Sequence, residues 1–308
     1  MDRPKIIVVG SANMDMVVTA DHIPVPGETV IADTFFMNPG GKGANQAVAI
    51  ARLGGAVAFI AKLGNDVFGK QSSKLYDDEG IDTRFLLSDP ELPSGVALIT
   101  VDKNGENSIV VAPGANANLF TDDFSDALQE LKTARIILMQ LEIPIETVRK
   151  TAAFAKEQGI KVILNPAPFT KNISEELLKN IDVLTPNQTE AEMLSGQRIQ
   201  NLEDAKKAAA IIRDKGIPVV IITMGAEGAV LCTKEQLVVL PAPAVAAIDT
   251  TAAGDVFNGA LAVALADDKS LQSAVAFAAR AAAISVTRMG AQSSIPYYSE
   301  VIADFIKQ

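Results

Sequence analysis

Arg135-Ile-Ile-Leu-Met139, Ile145-Glu-Thr-Val-Arg-Lys-Thr-Ala-Ala-Phe-Ala-Lys-Glu-Gln158, Gly159 and Lys161-Val-Ile-Leu-Asn165 follow one another in one run of the chain. The outer pieces are short, apolar and β-branched, as strands covered on both faces are. The middle piece carries a helical pattern, and Gly159 stands where a helix C-cap belongs. Strand, helix and strand in this order read as a crossover between parallel strands. The same rhythm extends in both directions. Lys5–Gly10, Val57–Lys62, Val183–Thr185 and Val219–Thr223 read as further strands. Lys42–Leu53, Phe68–Asp78 and Leu202–Lys215 read as helices, followed by Gly54, Gly80 and Gly216 as C-caps. The expectation is an α/β doubly wound fold: a mainly parallel sheet flanked by helices, with residues 1–308 as a single domain.

Two stretches break the rhythm. Residues 16–38 and 84–112 hold strand-like pieces joined by turn signals, Pro24-Val-Pro26-Gly27 and Asp102-Lys-Asn104-Gly105, with no helix between them. Asn104-Gly105 suits a type I′ hairpin turn. The two stretches are expected to pair as a small β-sheet projecting from the main domain, serving as a lid, a dimer contact or both.

Composition narrows the function. The chain has 308 residues, 48% hydrophobic and 21% charged, the profile of a soluble globular protein. Cys232 is the only cysteine, so no intramolecular disulfide forms and a reducing compartment is expected. The apolar run near the start, Ile6–Val9, is too short for a signal peptide, and no stretch approaches a membrane span, so a cytoplasmic location is expected. A net charge of −10 opposes nucleic-acid binding, which relies on Lys and Arg. His22 is the only histidine, which removes His-based triads and multi-histidine metal sites.

In a doubly wound sheet, ligands bind beyond the carboxyl ends of the strands, so polar clusters just after strands matter most. Asp249-Thr-Thr-Ala252-Ala253-Gly254-Asp255 leads into a long apolar helix. Its small residues let a ligand approach backbone N–H groups at a helix N-terminus, where an anion is favoured. Asp255 then stands as a base for an attacking hydroxyl; a plain N-terminal cap reads from the same residues. Asn38-Pro-Gly40-Gly41-Lys42-Gly43-Ala44-Asn45-Gln46 gives a donor-rich loop opening a helix, or simply a turn. Gly10-Ser-Ala-Asn13-Met-Asp15 follows the first strand; Asn13 and Asp15 either grip neighbouring hydroxyls or cap a turn. Thr185-Pro-Asn187-Gln-Thr-Glu190 is an acidic first helical turn. Gly64-Asn-Asp-Val-Phe-Gly69-Lys70-Gln71 nearly spells a phosphate-binding P-loop. Gln71 stands where the Mg²⁺-binding Ser or Thr belongs, and that reading fails.

Taken together, the segments resemble the ribokinase family of carbohydrate kinases over nearly the whole chain. Asp249–Asp255 is similar to the family's Asp-Thr-x-Gly-Ala-Gly-Asp signature, with Ala252 where glycine is usual. Alanine keeps the N–H, so the anion hole survives unless that position requires φ > 0. The resemblance implies transfer of phosphate from ATP to a pentose: D-ribose at its 5-hydroxyl, giving ribose 5-phosphate. Another sugar, a nucleoside or a non-catalytic sensor role is the alternative. It implies that Asp255 is the base and that Ala252, Ala253 and Gly254 form the anion hole. Sugar contacts fall on Asn13, Asp15, Gly41, Lys42, Asn45, Glu142 and Asp255. ATP contacts fall on Asn187, Thr223, Gly225, Gly228 and Gly254. Glu190 places Mg²⁺ through water. K⁺ is held by Asp249, Thr251, Ser285, Arg288, Gly290 and Ser294, several through backbone carbonyls. A homodimer formed through the lid is also implied.

Overall fold

A computed structural model describes residues 5–130 and 132–303, so the ends of the expected domain, 1–4 and 304–308, and Leu131 lie outside it. The strands in chain order are β1 Lys5–Val9, β2 Asn13–Thr19, β3 Thr34–Gly40, β4 Ala56–Gly64, β5 Leu86–Asp89, β6 Gly95–Val101 and β7 Asn107–Ala112. They continue with β8 Ile136–Met139, β9 Lys161–Leu164, β10 Val183–Leu184, β11 Val219–Thr223, β12 Ala229–Cys232 and β13 Leu237–Leu240. Nine of them form one sheet in the order β13-β12-β11-β10-β9-β8-β1-β4-β5, parallel from β11 through to β5, with β12 and β13 antiparallel. The expected doubly wound sheet is therefore present, finished at one edge by an antiparallel pair.

Alternation of side chains along each strand splits the core in two. Ile6 and Val8 of β1 pack with the helices Lys42–Arg52, Ala253–Ala266 and Leu271–Ser285 on one face. Ile7 and Val9 pack with Ile145–Glu157 and Leu202–Arg213 on the other. Apolar residues of β1 are thus buried whichever way they point, which is why strand and core read so plainly from the sequence. Cys232 is buried within the second cluster, a small hydrophobe on β12. Among the described residues, no helix is long and apolar enough to cross a membrane.

The two irregular stretches do pair, as a four-stranded sheet ordered β3-β2-β6-β7. Its limits differ from the expected ones. The sheet starts at Asn13 and Gly95 rather than residues 16 and 84, because β2 and β6 run parallel from the register pair Asn13–Gly95. Leu86–Asp89 instead lies beside Ala61–Gly64 and extends the edge of the main sheet. The hairpin turn differs too. Only Gly105 has positive φ, at 81°, and the Asp102 carboxylate accepts the N–H groups of Asn104 and Glu106. That is a longer, side-chain-capped loop with glycine in the left-handed position, not a type I′ turn.

Candidate active site

The carboxyl ends of β1, β8, β9, β10 and β11 deliver Gly10, Gln140, Asn165, Thr185 and Thr223 to one side of the sheet, as the switch-point rule requires. Two helices reach the same place by crossing closely. A Cβ on Gly259 would lie 2.7 Å from Ala49 Cβ and 3.0 Å from the Gln46 carbonyl oxygen, so the helices Ala253–Ala266 and Lys42–Arg52 touch there backbone to backbone. One turn before that contact stand Asp255 on one helix and Asn45 and Gln46 on the other. The crossing sets them against each other: Asn45 Nδ2 donates to Asp255 Oδ2 at 3.0 Å, and Gln46 Nε2 donates to Asp255 Oδ1 at 3.0 Å.

Asp255 is 5% exposed. Burial pushes its carboxyl above the ordinary carboxylate value, against the pull of the Lys42 charge and of the Asn45 and Gln46 donors. Asp15 is pushed up to about 7, first by burial, then by the neighbouring Glu142 and Asp255 carboxylates. Lys42 stands among Asp255, Glu142, Glu190 and Asp15, whose fields outweigh the desolvation that would lower it, so its ammonium is held charged. Glu142 accepts the Lys42 N–H at 3.0 Å and the Ser11 hydroxyl at 2.5 Å, which ties the loop after β8 to the start of the helix. Asn13, in turn, accepts from Asn116 Nδ2 at 2.8 Å, and Asn116 also bonds both backbone groups of Ala12.

Every residue expected to contact the sugar is therefore in one cluster, with an additional orphan. Asn45 Oδ1 is buried without a hydrogen-bond partner, an open acceptor beside Asp255. A cleft of about 620 Å³ lined by Asn65, Lys70, Ser73 and Lys74 lies elsewhere and holds none of these residues. The buried polar groups, not cavity size, mark the site.

The turn before the helix follows the anion-hole expectation in part. Gly254 is exposed, and a Cβ on it would meet nothing within 4 Å, leaving open space above the helix N-terminus. The Ala253 N–H, expected to face an anion, closes the turn onto the Thr250 carbonyl at 3.2 Å. Ala252 is the helix N-cap, with φ 59° and ψ 7°. The position does demand the left-handed region, which explains a glycine preference, and alanine occupies it at a cost of about 1–2 kcal/mol. Ala252→Gly is accordingly expected to stabilise the protein by about 0.5–1 kcal/mol, read as a higher urea midpoint at unchanged slope. A midpoint that stays put or falls would show that no strain is stored there.

Asn187 and Glu190 cap their helix reciprocally: the Asn187 side chain accepts the Glu190 N–H and Glu190 Oε2 accepts the Asn187 N–H, both at 2.9 Å. The acidic first helical turn read from the sequence is present, with Glu190 in it. Glu190 is nevertheless buried, which raises its carboxyl, and it lies in the field of Lys42 and Asp255. Asn187 bridges to Thr223 at the end of β11, bringing Gly225 nearby, where a Cβ would find open space. Gly228 answers to packing: a Cβ there would strike the Leu240 carbonyl oxygen at 2.1 Å. Asp249 accepts Thr251 N–H (2.9 Å), Thr251 Oγ1 (2.6 Å) and Gly290 N–H (2.8 Å), so the loop 288–294 is stitched to the segment before the helix. Burial alone would raise Asp249, but those donors hold it below the usual range. The Arg288 guanidinium is engaged by Glu300, and Ser285 and Ser294 donate to Ala282 and Ala291 carbonyls.

Sequence reasoning gave no site role to the polar layer beneath the site: Gln46, Asn116, Gln140, Asn165, Thr185 and Asn258. The available signal was a polar residue directly after an apolar strand, as at Gln140, Asn165 and Thr185.

The chain matches the family model "pfkB family carbohydrate kinase" over residues 3–297. It is 45% identical over 300 residues to a ribokinase of Haemophilus influenzae, covering 97% of this chain and 98% of that one. It is 39% identical over 291 residues to a deoxyribokinase of Salmonella typhi, covering 94% and 95%. Among solved structures, Arabidopsis thaliana ribokinase complexed with ribose and ATP superposes with a TM-score of 0.91 at 35% identity, covering 98% of each chain. A buried carboxylate in the first turn of a helix, held by two side-chain amides of a second helix, accords with that match, and the chain belongs to the pfkB family of carbohydrate kinases.

Proposed function

We propose that this chain is an ATP-dependent kinase that phosphorylates D-ribose at its 5-hydroxyl, giving ribose 5-phosphate. The observation that carries the reading is the pairing of a buried, doubly hydrogen-bonded Asp255 with the unpartnered Asn45 Oδ1 beside it. A carboxylate acceptor and an amide acceptor side by side suit adjacent hydroxyls of a sugar. Asn13, Asp15, Gly41, Lys42 and Glu142 complete the sugar contacts. Asp255 takes the proton of the 5-hydroxyl as it attacks the γ-phosphorus in line. The N–H groups of Ala252 and Gly254 face the charge that develops on the phosphate oxygens, while that of Ala253 closes the turn onto Thr250. Asn187, Thr223, Gly225, Gly228 and Gly254 hold ATP.

Mg²⁺ enters with ATP and neutralises phosphate charge when bound. Glu190 fits a water-mediated role there: one oxygen caps its helix, and Oε1 takes no hydrogen bond from the described residues. Asp249, Thr251, Ser285, Arg288, Gly290 and Ser294 suit K⁺, being an oxygen donor set with the Arg288 guanidinium turned away onto Glu300. The four-stranded sheet leaves Phe35, Met37, Leu98 and Val110 exposed on one face, an apolar surface suited to a homodimer through the lid. The protein works in the cytoplasm.

Deoxyribose is the second reading, favoured by the deoxyribokinase relative at 39% identity. The deciding experiment is ADP release with ATP, Mg²⁺ and K⁺ across ribose, deoxyribose, fructose, adenosine and a no-sugar blank. Ribose is expected to give the highest kcat/KM. Turnover with another acceptor alone would discard ribose and keep the kinase. Binding without turnover for every acceptor would make the protein a sensor.

A further inference from the structure

Beneath Asp255 lies a chain of buried side-chain amides. Gln46, wholly buried, donates from Nε2 to Asp255 Oδ1 at 3.0 Å and to Asn165 Oδ1 at 3.3 Å, and its Oε1 accepts Gln140 Nε2 at 2.5 Å. The end presented by an amide is decided by its network, since its oxygen and nitrogen are alike in shape. Here the network has a fixed end. Asn165 Nδ2 donates to the Thr185 backbone carbonyl at 3.3 Å, and a carbonyl only accepts. Asn165 therefore turns its oxygen to Gln46, and Gln46 turns its N–H groups to Asn165 and Asp255. Gln140 secures the other side by donating to Gln46 Oε1. A flipped Gln46 would set oxygen against two acceptors, Asp255 and Asn165, and turning Gln140, whose own Oε1 has no partner, would relieve neither mismatch. The same layer reaches the anion-hole turn: Thr185 Oγ1 donates to Asn258 Oδ1 at 2.6 Å, and Asn258 Nδ2 to the Gly254 carbonyl at 2.8 Å.

We infer that Gln46 is a positioning residue of the reaction: held in one orientation by the Thr185-anchored Asn165 and the carboxylate itself, it aims Asp255 at the attacking hydroxyl and keeps it in its proton-accepting form. It acts through Asp255, on whose role the inference rests. The other charged groups facing Asp255 are Lys42 on the same helix as Gln46, Asp15 on β2, Glu142 after β8 and Glu190 on the helix Gln188–Ser195. All are left in place by changes at Gln46.

The test compares Gln46→Met and Gln46→Glu, both close in shape to glutamine, in the full-length protein. Removing a donor from a carboxylate raises its pKa, so a smaller fraction is ionised at a given pH and the acid limb of kcat moves upward. Gln46→Met is expected to lower kcat about tenfold to thirtyfold, with KM for ribose within about threefold, and to move that limb up by about one pH unit. Gln46→Glu, which sets a second carboxyl against Asp255, moves it further. If Gln46→Met does not fold, Gln46→Glu alone decides. An unmoved acid limb with kcat within threefold of wild type, whatever the loss of thermal stability, would make Gln46 a packing residue and overturn the inference. Should the wild type turn over no sugar, the proposed function fails separately. The Asp255 titration, followed by ¹³C NMR of labelled aspartate, still shifts upward in both variants if Gln46 holds the carboxylate, and stays put if it does not.

Discussion

Asp255→Asn is expected to lower sugar-dependent ADP release by three decades or more while leaving the ATP dissociation constant within a few-fold. Losing a positioned general base costs about 10²–10⁴. Here the substitution does further harm, because Asp255 accepts from two amide donors, Asn45 Nδ2 and Gln46 Nε2. An asparagine satisfies only one of them and turns its own NH₂ against the other, so the side chain loses its aim as well as its basicity. The loss should fall on kcat, since the Asp255 carboxylate meets the 5-hydroxyl most strongly as the proton leaves. Single-turnover kinetics with saturating ATP and ribose read it directly. Retention of turnover within tenfold would remove Asp255 from the base role and turn attention to Asp15, another raised carboxyl beside it.

Gly43→Ala should cost about a hundredfold in kcat/KM for the sugar without touching any substrate group. An added Cβ would lie 2.6 Å from the Gly10 carbonyl carbon, 2.6 Å from Ser11 N and 2.7 Å from Ser11 O. All three are backbone atoms, so no rotamer change relieves the contact. The helix Lys42–Arg52 must back away from the end of β1, against the Ala44 N–H to Ser11 carbonyl bond at 2.9 Å. That helix carries Lys42, Asn45 and Gln46, and the segment it leaves carries Asn13 and Asp15. A displacement near 1 Å between reacting groups is enough for a loss of about 10², and overpacking adds about 1–3 kcal/mol of instability. Steady-state kinetics with a parallel thermal melt separate the two. A variant that melts early but keeps its kcat/KM would show that the helix yields at its far end and leaves Asn45 in place.

The sheet and its helices were legible because burial on both faces writes itself as unbroken apolar runs: Val219–Thr223 falls where expected and Lys42–Arg52 within a residue of it. Leu86–Asp89 was misplaced because nothing in four residues says which strand they pair with; its partner, Ala61–Gly64, lies a whole helix away. The candidate site was legible wherever a motif gathers its residues in a few positions, as in Gly41–Asn45 and Asp249–Asp255. Gln140 and Asn165 belong to no such motif. Each is one polar residue at a strand end, and their relation to Gln46 exists only once β8, β9 and the first helix are assembled. The φ of Ala252 was likewise out of reach, since a side chain carries no mark of the backbone angle it is forced to adopt.

The small sheet is rooted in the site itself. Asn13 pairs with Gly40 and Gly95, and Asp15 stands two residues further along β2. From that root, β2 and β6 run seven residues outward, about 23 Å at roughly 3.3 Å per residue. Such a strand is a lever arm with its short end on Asn13 and Asp15, the proposed sugar contacts. A tilt of about ten degrees at the root would move Asp15 by about 1 Å and the Asn104–Gly105 tip by about 4 Å, by the same strand geometry. A fluorophore at that tip would therefore magnify what happens around Asn13 and Asp15, and whatever clamps the tip holds those two residues in register.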